Sequence, residues 1–142
     1  TGMEKFPGLL ARVQNEAVRH GISARVHYMG HVRNGVLRTI YERADALVFP
    51  SGFEGFGIPL VEAFSLGVPV IAADNSSITE VVGDAGILVP TGDVKAFADA
   101  IERVLTDSNL RSELIAKGHE RAKLFSWEKT AQKTLEVFNG LS

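Results

Sequence analysis

The chain has 142 residues, of which 45% are apolar and 23% charged, with a formal net charge of −2. These values are typical of one ordinary globular domain, without the positive charge that binds nucleic acids or anionic membranes. The lack of cysteine excludes disulfides and cysteine ligands or nucleophiles, and no apolar run approaches the roughly 20 residues that span a bilayer. We therefore expect a cytoplasmic protein with no transmembrane segment and no nucleic-acid partner.

Helix and strand patterns alternate along the chain, which predicts an α/β fold, a parallel sheet with helices on both faces. In chain order the predicted elements are helix 6–20, strand 25–29, helix 36–43, strand 46–49, helix 58–66, strand 68–72, helix 79–82, strand 86–89, and helices 94–106, 110–124 and 127–138. Gly21 is the predicted stop of the first helix.

Polar residues mark the expected starts of three helices. Asp107 or Ser108 is the predicted N-cap of helix 110–124, and Ser126 that of the last helix. The run DNSS, residues 74–77, is predicted to form a turn and cap before the short helix. Three residues here are interpreted as the cap and first turn, with contact to a bound ligand as the alternative: Ser76, Ser77 and Glu80.

The segment SGFEGFGIPLVEAF, residues 51–64, sets two carboxylates around a glycine-rich turn. Gly52, Gly55 and Gly57 allow backbone conformations closed to other residues and let a ligand approach the main chain. Pro59 fits the first turn of a helix, where its missing N–H costs nothing. A strand that leads through such a turn into a helix favours anionic ligands, because free N–H groups and the helix dipole point outward there.

Glu62 is the only charged residue in the apolar run IPLVEAFSL. A buried carboxylate without a partner costs several kcal/mol, so Glu62 requires a hydrogen-bond donor from the protein or from a ligand. It lies about one helical turn, roughly 6 Å, beyond Ile58, so Glu54 and Glu62 can reach opposite ends of one extended polar ligand. The alternative is a helix-capping Glu54 and a salt-bridged or solvated Glu62.

Four stretches, in order along the chain, carry a resemblance to a known enzyme family. They are RVHYMGHV (25–32), EGFGIPLVE (54–62), SLGVPVIAADNSSITEVVGDAGILVPTGD (65–93) and FSWEKTA (125–131). Together they resemble the C-terminal half of retaining GT-B glycosyltransferases, in the group 1 or family 4 enzymes that include sucrose synthase and bacterial mannosyltransferases. The resemblance implies a Rossmann-like nucleotide-sugar donor-binding domain over residues 1–142, truncated at its N-terminal strands.

The resemblance also implies how the glycine turn binds the donor sugar. Glu54, the candidate catalytic residue, would accept hydrogen bonds from the sugar hydroxyls and position the sugar, rather than act as a nucleophile or general base. The main-chain N–H groups of Phe56 and Gly57 would donate to the same sugar, and Gly55 belongs to the same substrate-binding turn.

The remaining expected contacts, likewise implied by the resemblance, are to the nucleotide. The N–H of Ile58 would face the diphosphate, and Glu62 would accept hydrogen bonds from the ribose hydroxyls, since charge-assisted bonds are strong. The main chain of His31 and Val32 would lie around the nucleobase, with an ordinary exposed loop histidine as the alternative.

The sequence has no Asp-x-Asp motif, with which many sugar-nucleotide transferases hold a divalent metal. With the resemblance, this favours a metal-independent transfer without a cofactor, in which a helix N-terminus and basic side chains bind the diphosphate. The Arg and Lys that the family uses match no segment here, and Lys5 and Arg12 lie in the wrong context.

The expected function is therefore that of the donor half of a hexosyltransferase, part of polysaccharide or glycolipid assembly. The hexose would move from a UDP- or GDP-sugar to a glycan or lipid-linked acceptor on a missing N-terminal domain, in the cytoplasm or at the inner membrane face. The isolated chain would bind the donor without transferring it. The alternatives are a non-catalytic nucleotide-sugar-binding or scaffold module, a phosphorylase or epimerase of the same fold, and a two-carboxylate glycosidase.

Overall fold

The computed structural model describes residues 7–140. The elements, in order, are α1 (Pro7–Arg19), a 3₁₀ helix (Ser23–Arg25), α2 (Asn34–Arg43), β1 (Leu47–Phe49), α3 (Ile58–Ser65), β2 (Val70–Asp74), α4 (Ser76–Val82), β3 (Ile87–Pro90), α5 (Val94–Thr106), α6 (Ser108–Ala122) and α7 (Trp127–Gly140). All seven predicted helices and three of the four predicted strands are confirmed. The predicted start of the first helix at Phe6 lies outside the described residues.

The chain divides into two compact units, Thr1–Arg38 and Thr39–Ser142. In the first unit α1 ends at Arg19, and Gly21 follows with a φ of +67°, which confirms the predicted glycine stop. No helix within residues 7–140 is both long and apolar enough to cross a membrane.

The predicted strand 25–29 is wrong. The segment begins in the 3₁₀ helix Ser23–Arg25, and although Val26 has extended backbone angles (φ −108°, ψ 115°), residues 26–29 join no β-ladder in the described structure. Their side chains are accessible, with Val26 39% and Tyr28 44% exposed. The alternation of residue types predicted the extended backbone, but a strand forms only where a neighbouring strand pairs with its N–H and C=O groups.

The second unit is built on a parallel sheet in the order β1-β2-β3. Val48 pairs with Ile71, and Ala72 pairs with Leu88. Both connections are crossovers through a helix, α3 between β1 and β2 and α4 between β2 and β3, as parallel neighbours require. The predicted parallel α/β organisation is therefore confirmed.

The central strand β2 is covered on both faces. Residues 70–73 are each 0% exposed, and successive strand residues point to opposite faces. One face belongs to a core cluster with α5 and α6 that consists of Ile71, Ala73, Val89, Phe97, Ala100, Val104 and Leu114. Helix α6 also packs closely on α3, because a Cβ built at Gly118 would lie 2.9 Å from Cδ1 of Phe64.

Two of the predicted helix caps are present. The Asp107 carboxylate accepts from the N–H groups of Asn109 and Leu110, each at 3.0 Å, so Asp107 is the N-cap and Ser108 the first residue of α6. Ser126 Oγ accepts from the N–H of Lys129 at 3.1 Å at the start of α7. Both caps satisfy N–H groups that a helix leaves without an internal partner.

The parallel sheet brings three loops to one edge. Residues 50–57 follow β1, Asn75 follows β2, and Thr91 follows β3. In open α/β sheets, ligands bind at this carboxyl edge.

Candidate functional site

The glycine turn between β1 and α3 has the predicted strand-turn-helix geometry. Gly57 is the N-cap of α3 with a φ of +92°, and Pro59 lies at the start of the helix. A Cβ on Gly57 would lie 2.8 Å from Cδ1 of Leu60, which is 0% exposed. The backbone angle and the close approach both require glycine at this position.

The Glu54 side chain is half-buried in this turn and is held by a local hydroxyl. Ser51 Oγ lies 2.8 Å from Oε1 of Glu54 and 3.3 Å from the carbonyl oxygen of Phe53, and its single proton favours the nearer, charged acceptor. The alternative of a helix-capping Glu54 is wrong, because Gly57 is the N-cap of α3 and no side chain caps it.

Glu62 has the hydrogen-bond donor that its apolar surroundings demand. The Tyr41 hydroxyl on α2 lies 3.3 Å from Oε2 of Glu62 and 3.4 Å from the carbonyl oxygen of Pro59. The Tyr41 side chain is buried at 8% exposure. The donor is therefore a phenol, rather than the cation of the salt-bridge alternative.

Burial, together with the negative charge and the hydrogen bond of Glu62, raises the pKa of Tyr41 from 10.0 to about 12. Tyr41 therefore stays a protonated donor to Glu62 at any physiological pH. Sequence reasoning did not single out Tyr41, because it stands at helical spacing with Leu37 and Ile40, on one mainly apolar face of the predicted helix 36–43. The only sequence signal for it was the polar tip of a tyrosine on that face.

Asn75, Ser76 and Ser77 lie at the start of α4, as the sequence predicted, but their side chains bond to other parts of the domain. The N-cap of α4 is Asn75, whose side chain makes no capping bond, and the helix begins at Ser76, three residues before the predicted start. Ser77 Oγ instead donates to the carbonyl oxygen of Glu54 at 2.8 Å, and Ser76 Oγ accepts from the N–H of Glu54 at 3.3 Å. Ser76 and Ser77 therefore belong to the first turn of α4, as predicted, but their hydroxyls bind the main chain of the glycine turn instead of capping the helix; their contact with a bound ligand stays a prediction. Glu80 lies further along α4 and is exposed.

The Phe56 ring in the glycine turn packs against Phe125, which follows α6. The two rings meet edge to face, with the centroids 5.5 Å apart and the planes at 80°. The Arg121 guanidinium lies 5.5 Å from the Phe125 centroid and donates to the carbonyl oxygens of Glu80 and, at 3.0 Å, Val81. Arg121 thus links α4 to the Phe56–Phe125 pair, of which Phe56 belongs to the glycine turn.

The predicted site residues of the second unit lie on one continuous element: Glu54, Gly55, Phe56, Gly57, Ile58 and Glu62. Ile58 begins α3, at the end of the helix where N–H groups have no acceptor within the helix.

His31 and Val32 precede α2 in the first unit. His31 is exposed and Val32 is half-buried, and their role at the nucleobase stays a prediction. Within residues 7–140 no three His, Asp or Glu side chains gather in a way that could hold a metal ion.

Comparison with known proteins gives the family. Residues 8–121 match the family described as "Glycosyl transferases group 1". The chain is 40% identical over 113 residues to the O-antigen chain mannosyltransferase B of Escherichia coli, covering 80% of this chain and 30% of that protein. It is 43% identical over 143 residues to the D-inositol 3-phosphate glycosyltransferase of a Nocardioides species, covering 97% and 31%. The chain therefore spans about a third of the length of these relatives.

Solved structures agree on the fold. The sucrose-phosphate synthase of Thermosynechococcus elongatus superposes with a TM-score of 0.84 at 31% identity, over 92% of this chain and 34% of that one. Anabaena HepE, solved in complex with UDP, superposes with a TM-score of 0.85 at 22% identity, over 98% and 38%; at that identity the likeness concerns the fold alone. Both confirm the predicted fold class, an α/β half of a GT-B glycosyltransferase. By its sequence and its fold, this chain belongs to the group 1 glycosyl transferases.

Proposed function

We propose that the chain is the donor-binding domain of a retaining, metal-independent glycosyltransferase. The domain binds a UDP- or GDP-sugar, whose hexose is transferred to a glycan or lipid-linked acceptor. The observation that carries the proposal is the pair Glu54, in the glycine turn, and Glu62, in helix α3, each oriented by a hydroxyl of the protein.

Both carboxylates keep the capacity to bind a ligand. An ionised carboxylate offers about four acceptor positions, and the bond from Ser51 occupies one of them on Glu54. The bond from Tyr41 likewise occupies one on Glu62. In this proposal Glu54 accepts from donor-sugar hydroxyls and Glu62 from the two ribose hydroxyls, which suits charge-assisted bonds to neighbouring hydroxyls.

The main chain between the carboxylates binds the rest of the donor. The N–H groups of Phe56 and Gly57 donate to the sugar, assisted by the close approach that Gly55 permits. The N–H of Ile58 faces the diphosphate, where the dipole of α3 stabilises the charge that grows on the leaving group. No metal or cofactor enters this scheme, and Glu54 positions the sugar rather than attacking it.

The remaining parts of the proposal rest on the relatives and on the family resemblance. The similar proteins carry the names of a mannosyltransferase and a D-inositol 3-phosphate glycosyltransferase, and HepE was solved with UDP. They support a nucleotide-sugar donor without choosing its base or sugar. The acceptor is proposed to bind a second domain, and the proposed place of action is the cytoplasm or the inner face of the membrane, in polysaccharide or glycolipid assembly.

Calorimetric titration of the full-length protein with a panel of nucleotide sugars tests the proposal. We expect one UDP- or GDP-sugar to bind, and Glu62→Gln to weaken it about tenfold, as the loss of a charge-assisted bond predicts. The matched control is Glu102→Gln, which makes the same substitution at an exposed position of α5. A folded protein that binds no nucleoside diphosphate overturns the proposal, and binding without any transfer to an acceptor identifies a non-catalytic module.

A further inference from the structure

The geometry points to a clamp on the glycine turn, formed by Asn75, Ser76 and Ser77, that positions the Glu54 carboxylate for the donor sugar. This inference rests on the proposed function and deepens it. Asn75 connects the neighbouring strand β2 to α4, and Ser76 and Ser77 are the first two residues of α4. We call them the α4 clamp.

The clamp holds the main chain of Glu54 on both sides of its Cα atom. Ser77 Oγ donates to its carbonyl oxygen at 2.8 Å, and its N–H donates to Ser76 Oγ at 3.3 Å. Ser76 Oγ also lies 3.2 Å from the same carbonyl oxygen and 3.0 Å from Oδ1 of Asn75. With Ser77 bonded to the carbonyl, the single Ser76 proton is free to donate to Asn75, so every hydroxyl proton has an acceptor.

Asn75 fixes the second support of the carboxylate. Its Nδ2 group donates to the carbonyl oxygen of Ser51 at 2.9 Å and to Thr91 Oγ1 at 2.8 Å. Ser51 in turn donates from Oγ to the Glu54 carboxylate at 2.8 Å. The loops after β1, β2 and β3 are thereby joined around the one side chain that is proposed to bind the sugar.

Two features of the start of α4, a missing side-chain cap and a strained backbone angle, reduce the local stability of this helix. Asn75 makes no capping bond with its side chain, although an N-cap bond typically contributes about 1 kcal/mol. Ser76 has a φ of +40°, which costs a non-glycine residue on the order of 1 to 3 kcal/mol. Glycine would remove this strain, but glycine has no hydroxyl to bond Glu54. Local helix stability does not explain this arrangement, whereas a fixed position of Glu54 does.

A sugar-positioning clamp has a signature that a purely structural role lacks. Glu54 contacts the sugar, whereas Glu62 and the N–H of Ile58 contact the nucleotide. Loosening the clamp should therefore raise the dissociation constant of the nucleotide sugar and leave that of the nucleoside diphosphate unchanged. The decisive quantity is the ratio of the two constants, compared between variant and wild type.

The test is calorimetry on the full-length protein with UDP, GDP and the matching nucleotide sugars. For Ser77→Ala we expect the nucleotide sugar to bind about 3- to 10-fold more weakly relative to its diphosphate, as the loss of one neutral hydrogen bond predicts. Asn75→Ala should act in the same direction, and Ser77→Thr, which keeps a hydroxyl, should restore the ratio. The matched control is Ser112→Ala, which removes a hydroxyl bonded at 2.8 Å to the carbonyl oxygen of Ser108 on α6.

The outcomes separate the two proposals. Wild-type protein that binds no nucleotide overturns the proposed function, and the clamp's role with it. Wild-type binding with an unchanged ratio in both Ser77→Ala and Asn75→Ala overturns the clamp alone. Unchanged affinity for the diphosphate shows that a variant is folded, so a loss confined to the nucleotide sugar supports the clamp. An equal loss of both ligands shows a general structural role and overturns it.

Discussion

Replacing Tyr41 with phenylalanine tests whether Glu62 is oriented by the protein. The substitution deletes one hydroxyl and keeps the ring, so it leaves no large cavity at a side chain that is only 8% exposed. The lost contact is the 3.3 Å bond from Tyr41 to Oε2 of Glu62. This is longer than the best hydroxyl-carboxylate bonds, so we assign it about 1 kcal/mol, below the usual value for a charged acceptor.

That free energy corresponds to about fivefold weaker nucleotide binding in Tyr41→Phe. The physical reason is that a Glu62 carboxylate without this bond must lose rotational freedom before it can make its proposed hydrogen bonds to the ribose hydroxyls. Calorimetry with UDP and GDP measures the effect. Unchanged or tighter binding would refute the reasoning, because Glu62 would then need no support from Tyr41.

The same substitution has a second, ligand-free readout in the alkaline range. The pKa of Tyr41 is raised from 10.0 to about 12, so above pH 10 the unfolded chain releases a proton that the folded protein retains. Below pH 10 this group leaves the free energy of unfolding independent of pH, and between pH 10 and 12 it lowers that free energy, by at most about 2 to 3 kcal/mol. Tyr41→Phe should lose this dependence, as followed by urea unfolding at each pH. The control Tyr28→Phe removes the hydroxyl of a ring that is 44% exposed, and an equal effect of both substitutions would contradict the assignment.

Three further predictions concern the glycine turn and its supports. Gly57→Ala should destabilise the domain by about 2 to 4 kcal/mol in urea unfolding, since it adds a positive-φ side chain that overpacks the core; a loss below 1 kcal/mol would contradict this. Ser76→Gly should be more stable than Ser76→Ala by about 1 kcal/mol, because only glycine relieves the positive φ, and equal thermal unfolding midpoints would refute the strain. The double variant Tyr41→Phe/Ser77→Ala should lose nucleotide-sugar affinity as the sum of its single variants, within about 0.5 kcal/mol; a larger discrepancy would show that the two supports are coupled.

The sequence predicted those parts of the fold that depend on residues close together along the chain. Periodicity and turn chemistry located the helices, and Gly57 and Pro59 marked the turn into α3 because their backbone limits are local properties. Strand 25–29 was predicted wrongly for the complementary reason. Its residue types favour an extended chain, but the pairing that defines a strand depends on residues elsewhere in the fold.

Apart from Ser51, which lies three residues from Glu54, the supports of the candidate site join residues distant in sequence, and they were not predicted. Tyr41 reaches Glu62 from 21 residues away, and Ser77 reaches Glu54 from 23. Composition cannot distinguish a capping serine from one that binds another loop, since the same hydroxyl performs both tasks. The deciding fact was the start of α4 at Ser76, which places both serines within the helix instead of at its cap.

The two carboxylates are supported by different parts of the second unit. Glu54 depends on the start of α4, through Asn75 and Ser77, whereas Glu62 depends on α2 through Tyr41. Because the two sets of hydrogen bonds share no residue, the sugar end and the ribose end of the proposed site can be perturbed separately. If Glu54 and Glu62 have the roles proposed above, substitutions around Glu54 should alter the choice of sugar without weakening nucleotide binding, and substitutions around Glu62 should do the reverse. Such separation would let one donor-binding fold serve different sugars.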